Sequence, residues 1–286
     1  MSWTLSLLLI LLGLVLVICL GVGLTLVRRM RGLHVQRRSL IDHRNWIAPH
    51  FRMHWPEGEG PFPVVILMHG CGGARQSMTN FAQILSAAGY GALIVDSLAP
   101  RGIGYEAALL KVCTGLQLWG RERVADLLAA MDWAKAQPRL DENRIALVGW
   151  SHGAWAILDG LCMSEAGLTP DGLKTLPDAP LAGVKGVFAF YPYSGFPALS
   201  RHFHWPKTLP IQAILIEGDS VTNETASNSV FKRQYKAGAD IHWRMITGVT
   251  HGFDEPDHHP KSDLRHDPEM TKTVEAELLN FLKAKL

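Results

Sequence analysis

Ile145-Ala146-Leu147-Val148-Gly149-Trp150-Ser151-His152-Gly153-Ala154-Trp155-Ala156-Ile157-Leu158 is the stretch that decides how the rest of this chain is read. Four apolar residues in a row predict a short strand buried on both faces. Gly149 and Gly153 bracket a sharp turn, and the run from Ala154 to Leu161 predicts a helix directly after it. A serine on such a strand–turn–helix junction lifts its hydroxyl above the sheet edge, which is the purpose of a G-x-S-x-G nucleophile elbow. Five residues of pattern alone carry little; the flanking strand and helix carry the reading. An ordinary helix-capping Ser in a Gly-rich loop is the plainer alternative.

The same alternation extends outward in both directions. Val64–Met68, Ala92–Val95, Val187–Phe190, Ile214–Ile216 and Ile241–Ile246 read as further strands. Between them, Phe81, Ile84, Leu85 and Ala88 repeat at helical spacing, as do Val124, Leu127, Leu128 and Met131, and a last helix carries Val274, Leu278, Phe281 and Leu282. Strands separated by helices imply crossover connections, hence an α/β fold with a mostly parallel sheet covered on both faces. Asn45–Trp55 reads as an extended, partly aromatic segment closed by the turn-rich Pro56–Pro61. Residues 163–183 and 191–210 read as surface loops near the strand ends, the rim where open α/β sheets bind ligands.

A serine hydroxyl needs a base to take its proton and a third group to orient that base. Both partners should follow Ser151 in the order acid, then His. His251, beside Gly252 after the last predicted strand, is the candidate base among the 13 His. Asp219, just past Ile214–Ile216, is the preferred acid because a loop position reaches further toward the His; Glu217 is the competitor. The oxyanion needs backbone N–H donors already in place. His152, directly after the serine, is one candidate, and Cys71 in His69-Gly70-Cys71-Gly72-Gly73 is the other. Asp257, His258 and His259 hint at metal ligation, but adjacent His in a Pro-rich loop reads better as surface decoration.

At 286 residues and 48% apolar content, the chain suits one large globular domain or at most two. Lys and Arg number 28 against 26 Asp and Glu, which argues against a strongly basic nucleic-acid binder. The charge is unevenly placed. Leu5–Val27 carries no ionisable side chain except Cys19 and is long enough to cross a bilayer. Arg28–Arg44 then holds six Arg against one Asp. We expect an N-terminal transmembrane anchor over residues 1–27, a basic juxtamembrane linker over 28–44 and a catalytic domain over 45–286. A cleaved signal peptide is the rival, though it wants a charged n-region and a shorter apolar run. The Arg collar places the domain on the cytoplasmic side. Cys71 and Cys113 both fall in loops and could approach one another, but loop cysteines of intracellular proteins are expected to be reduced.

Taken in order, His69-Gly70-Cys71-Gly72-Gly73, Asp96-Ser97 with Pro100-Arg101-Gly102, Cys113, Arg123 with Asp126, Gly149-Trp150-Ser151-His152-Gly153, Gly218-Asp219 and His251-Gly252-Phe253-Asp254 resemble the dienelactone hydrolase group of the α/β-hydrolase superfamily. The resemblance runs from about Ile47 to the C-terminus. It implies an eight-stranded, mostly parallel sheet and cofactor-independent hydrolysis of an ester or lactone, with no metal. By position it makes Ser151 the nucleophile, Asp219 the acid and His251 the base. The nucleophile is Ser where the name-giving enzymes have Cys, Glu217-Gly218-Asp219 is compressed relative to the group's Gly-x-x-Asp, and the membrane span is an addition. The expected function is therefore a membrane-anchored serine hydrolase of small acyl esters or lactones. The alternatives are a serine peptidase or thioesterase of the same fold, or a silent scaffold held at the membrane. Oligomeric state stays open.

Overall fold

The structure, a computed structural model, describes residues 3–259 and 261–286. It divides into two compact units, one ending at Arg37 and the other spanning Arg38–Leu286.

The first unit is dominated by one helix, α1 (Trp3–Met30), with a mean hydropathy of 3.2 over its most apolar window. Its 28 residues rise about 42 Å at 1.5 Å each, enough to cross a hydrocarbon core of about 30 Å. None of its residues is buried by protein, and Thr25 turns its hydroxyl back onto the Gly21 carbonyl at 2.8 Å. By length and composition α1 could span a membrane; a signal sequence satisfies the same description.

In the second unit, seven strands form one sheet in the order β1-β3-β2-β4-β5-β6-β7. These are β1 (Phe51–His54), β2 (Phe62–Met68), β3 (Gly91–Val95), β4 (Leu140–Trp150), β5 (Val184–Phe190), β6 (Ile211–Ile216) and β7 (Ile241–Ile246). Only the edge strand β1 runs antiparallel, against β3. The resemblance implied eight strands; among the described residues there are seven.

Strand periodicity sorts the core into two layers. On β2, Val64, Ile66 and Met68 face α5 (Gly120–Lys135) and α6 (His152–Ala166), while Val65 and Leu67 face α3 (Gln76–Ala87) and α8 (Pro268–Lys285). All five are fully buried, which explains why β2 reads as an unbroken apolar run rather than an alternating one. Each such side chain contributes roughly 1.5–3 kcal/mol of burial. The sheet therefore has little freedom to slip, and the loops at its C-terminal edge are held in fixed relation.

Several sequence expectations need correction. Asn45–Trp55 is not extended throughout. Asn45–Ile47 completes helix α2 (Leu40–Ile47), residues 48–50 make a 3₁₀ turn, and only Phe51–His54 is strand. Ser39 caps α2 by accepting from the Asp42 N–H, and Ile47 and His43 supply its buried side. The compact unit accordingly begins at Arg38, inside the expected 28–44 linker, and Arg44 reaches Asp132 at 2.8 Å. Two helices had no strong periodic signal: α4 (Tyr105–Lys111) and α7 (Glu224–Lys236), which bury few apolar residues each. Trp205, in the loop 191–210, is packed in the core against Phe231 at a ring separation of 5.6 Å.

Candidate active site

Ser151 sits between β4 and α6 with φ +50° and ψ −111°, a conformation that costs an L-residue energy. The turn is this tight because the elbow presses against its own helix and against β2. A Cβ on Gly149 would lie 2.6 Å from the Ala154 nitrogen, and one on Gly153 would collide with the Met68 carbonyl and lie 2.6 Å from that of His69. Glycine at these two positions is what lets the serine stand clear of the sheet.

The side chains expected to meet the serine do so. His251 Nε2 lies 3.0 Å from Ser151 Oγ, and its Nδ1 lies 2.8 Å from Asp219 Oδ2. With the Nδ1–H donating to the carboxylate, Nε2 is left as acceptor for the serine hydroxyl. Asp219 is fixed in turn by the loop before α7. The Val221 and Thr222 N–H groups donate to Oδ1 at 2.8 and 3.1 Å, and the Thr222 hydroxyl to Oδ2 at 2.7 Å. Burial alone would raise this carboxyl; the His251 hydrogen bond and charge, with the Thr222 bonds, outweigh it and hold the group down at about 2. Glu217 is exposed and takes no part. All three side chains are buried, with Ser151, Asp219 and His251 at 6%, 6% and 8% exposure, so their hydrogen bonds act in a medium poor in water.

Behind the imidazole stands Tyr191, whose ring meets that of His251 edge-on at 4.6 Å. Its hydroxyl donates to Asp254. Burial raises the Asp254 carboxyl, and burial with the Asp254 charge pushes the Tyr191 phenol well up, so the phenol keeps its proton at neutral pH. The sequence assigns neither residue a role; an aromatic just past β5 and an acid three residues after the His are the available signals.

Strands β2 and β4 are neighbours, with Met68 paired to Gly149, so the loop after β2 arrives beside the elbow. Within it, His69 is completely buried, and burial together with the Arg123 charge holds its imidazole well below the ordinary range. The neutral ring accepts from the Ser97 N–H at 3.0 Å and donates from Nδ1 to the Gly70 carbonyl at 2.5 Å. That carbonyl shares a peptide unit with the Cys71 N–H, one of the two expected oxyanion donors. The other, the His152 N–H, is among the first N–H groups of α6, which no helical carbonyl can satisfy.

Over Ser151 lies a cavity of about 270 Å³ walled by Met78, Tyr105, Leu109, Val221 and Leu264. Cys71 and Cys113 also line it, and they are joined as a disulfide with Cα atoms 5.1 Å apart, which overturns the expectation of free thiols. α4 carries Cys113 back over the β2 loop, a path that sequence spacing did not reveal. At the mouth, the Arg75 guanidinium lies 4.1 Å from the Tyr105 ring centre and 2.9 Å from Asp257. His258 lines the same cavity rather than decorating the surface. Among the described residues no group of three or more His, Cys, Asp or Glu is placed to hold a metal ion.

Residues 51–166 match the dienelactone hydrolase family. The chain is also 28% identical over 158 residues to dipeptidyl aminopeptidase BIII of Pseudoxanthomonas mexicana, a match covering 53% of this chain and 22% of that relative. It thus spans about a fifth of that protein's length. A dienelactone hydrolase-like promiscuous phosphotriesterase from metagenomic libraries superposes with a TM-score of 0.59 at 17% identity, covering 82% of this chain and 92% of the other. Esterase 2 of Thermogutta terrifontis, phosphoramylated by tabun, gives 0.56 at 15% identity, covering 81% and 87%. At these identities the two structures share the fold.

Proposed function

We propose that this chain, a member of the dienelactone hydrolase family through residues 51–166, is a serine-dependent hydrolase of small acyl esters or lactones. The observation that carries the proposal is the unbroken run of hydrogen bonds from Ser151 through His251 to Asp219. Ser151 Oγ attacks the acyl carbon while His251 Nε2 takes the hydroxyl proton. Asp219 keeps the imidazole in the tautomer that can accept it and stabilises the imidazolium that results. The carbonyl oxygen, now carrying the charge, is held by the N–H groups of Cys71 and His152. His251 next delivers its proton to the leaving alkoxide, leaving an acyl-serine. A water then attacks that ester with His251 again as base, and Ser151 recovers its proton as the acid leaves. The apolar wall of Met78, Tyr105, Leu109 and Val221 suits a small apolar acyl or aryl group.

The peptidase reading draws on the aminopeptidase relative, which extends far beyond the matched segment. Residues 5–27 are proposed to anchor the enzyme in a membrane, with the Arg collar holding the hydrolase unit on the cytoplasmic side.

The test uses the full chain in detergent with p-nitrophenyl acetate and a fluorophosphonate probe. The wild type should turn over the ester and take up the probe at Ser151, while Ser151→Ala should lose both and melt as before. A wild type that does neither, or an Ala variant that keeps its rate, removes the proposal.

A further inference from the structure

Arg123 lies in the first turn of α5, completely buried, and the hydrolytic scheme above does not use it. A buried guanidinium is costly unless a carboxylate or several acceptors compensate it. Among the described residues no carboxylate pairs with it directly. Asp126, one turn further along α5, is taken by two bonds from Arg101 at 2.9 and 3.0 Å and by His43 at 2.8 Å. Burial brings the Arg123 guanidinium down to about 10, so it keeps its charge at neutral pH without a close counter-ion. A Met of similar length would fill the same space at lower cost to folding. The placement therefore calls for an explanation outside stability.

Its contacts supply one. A single nitrogen, Nη1, donates to the His69 carbonyl at 2.8 Å and to His152 Nδ1 at 3.1 Å. Nε donates to the Ser97 hydroxyl at 3.1 Å, and the Ser97 N–H in turn holds the His69 ring. His69 begins the loop carrying the Cys71 N–H; His152 carries the other oxyanion donor on its own backbone. These two segments come from different strands, and among the described residues Nη1 is the one side-chain atom bonded to both. We propose that Arg123 is a positioning residue for the oxyanion hole, bracing the β2 loop against the elbow. It fixes the separation of the two N–H donors and places a permanent cation behind the site where negative charge develops. Such a device favours the tetrahedral state over the bound ester, because the ground-state carbonyl carries little charge.

This rests on the serine-hydrolase reading, and the experiment keeps the two apart. Arg123→Met and Arg123→Lys are made in the full chain and compared with wild type after thermal melting shows each is folded. For Arg123→Met, kcat on p-nitrophenyl acetate should fall 10- to 100-fold with KM within twofold. Affinity for an aryl boronic acid, which forms a tetrahedral adduct on the serine, should fall by the same factor as kcat. Arg123→Lys keeps the charge but cannot bridge both acceptors, and should recover part of the loss. Amide hydrogen exchange should speed up in residues 69–73 and not in β6. Should Arg123→Met fail to fold, Arg123→Lys carries the test, with a smaller drop in kcat and boronate affinity together. Unchanged kcat, a loss residing in KM, or boronate affinity that does not follow kcat overturns the proposal. Inert wild-type protein indicts Ser151 instead, and exchange in 69–73 then decides alone: an unaltered rate overturns the bracing role.

Discussion

Cys113 is bonded through sulfur to Cys71, so the residue proposed to offer one oxyanion N–H is tied covalently to the end of α4. The loop that must hold its geometry at the reacting carbonyl is thus restrained from two sides. His69 and Arg123 hold it from the interior, and the bridge holds it from the cavity wall. A cross-link over 42 residues constrains the unfolded chain by at most about 4 kcal/mol.

Replacing both cysteines by Ser should lower stability by about 2–4 kcal/mol in denaturant titration and reduce kcat more than it changes KM. Equal stability in the two proteins would mean that the bridge adds nothing to the fold.

The same bridge bears on which side of the membrane the hydrolase unit occupies. Cytoplasmic thiols are ordinarily kept reduced, and cytoplasmic bridges that do form tend to be transient. With the unit on the cytoplasmic side, acid trapping and alkylation of cells should find Cys71 and Cys113 partly reduced. A fully oxidised population would place the unit in an oxidising compartment and reverse the proposed orientation.

Asp219→Asn should leave the fold intact and lower kcat by roughly 10⁴, because the amide favours the wrong imidazole tautomer. Thr222→Val, which removes one hydrogen bond to the same carboxylate, should have a far smaller effect. Comparable rates for Asp219→Asn and wild type in a stopped-flow assay would mean that the acid lies elsewhere.

The depressed carboxyl of Asp219 also predicts a pH dependence of stability. Its folded value, about 2, lies below the usual 3.8, so its contribution is complete above the unfolded value and fades as pH falls toward 2. The stability gap between wild type and Asp219→Asn should therefore shrink as pH falls below 4, by about 1–2 kcal/mol in all. Urea titrations across that range measure it; a gap that widens in acid contradicts the assignment.

Gly153→Ala should be far more damaging than a single methyl group suggests. The new Cβ meets backbone of Met68 and His69, which cannot swing aside as a side chain would. A loss of about 3 kcal/mol or more, or failure to accumulate folded protein, is expected.

What could be read in advance follows the range of the forces involved. The elbow was legible because strand, turn and helix are contiguous there, and Asp219 and His251 because they follow their strands in chain order. α7 was not, since it buries only Ser227, Val230, Phe231 and Gln234 and its apolar spacing is thin. Thr222 fixes Asp219 in the turn before α7, where Asn223 adopts φ +57°, and composition does not announce that turn. Arg123 is the clearest limit. Between Arg121 and Asp126 its charge resembles that of a solvated helix face, and only the packing of α5 beneath the β2 loop makes it an interior group.

Adjacent strands β2 and β4 deliver the proposed oxyanion donors, and the pairing of Met68 with Gly149 aligns them. Part of the chamber wall above, Tyr105, Leu109 and Cys113, comes from the long connection between β3 and α5. Division of labour of this kind makes substrate choice evolvable: mutation can remodel the antechamber while the reacting atoms inherit their coordinates from the sheet.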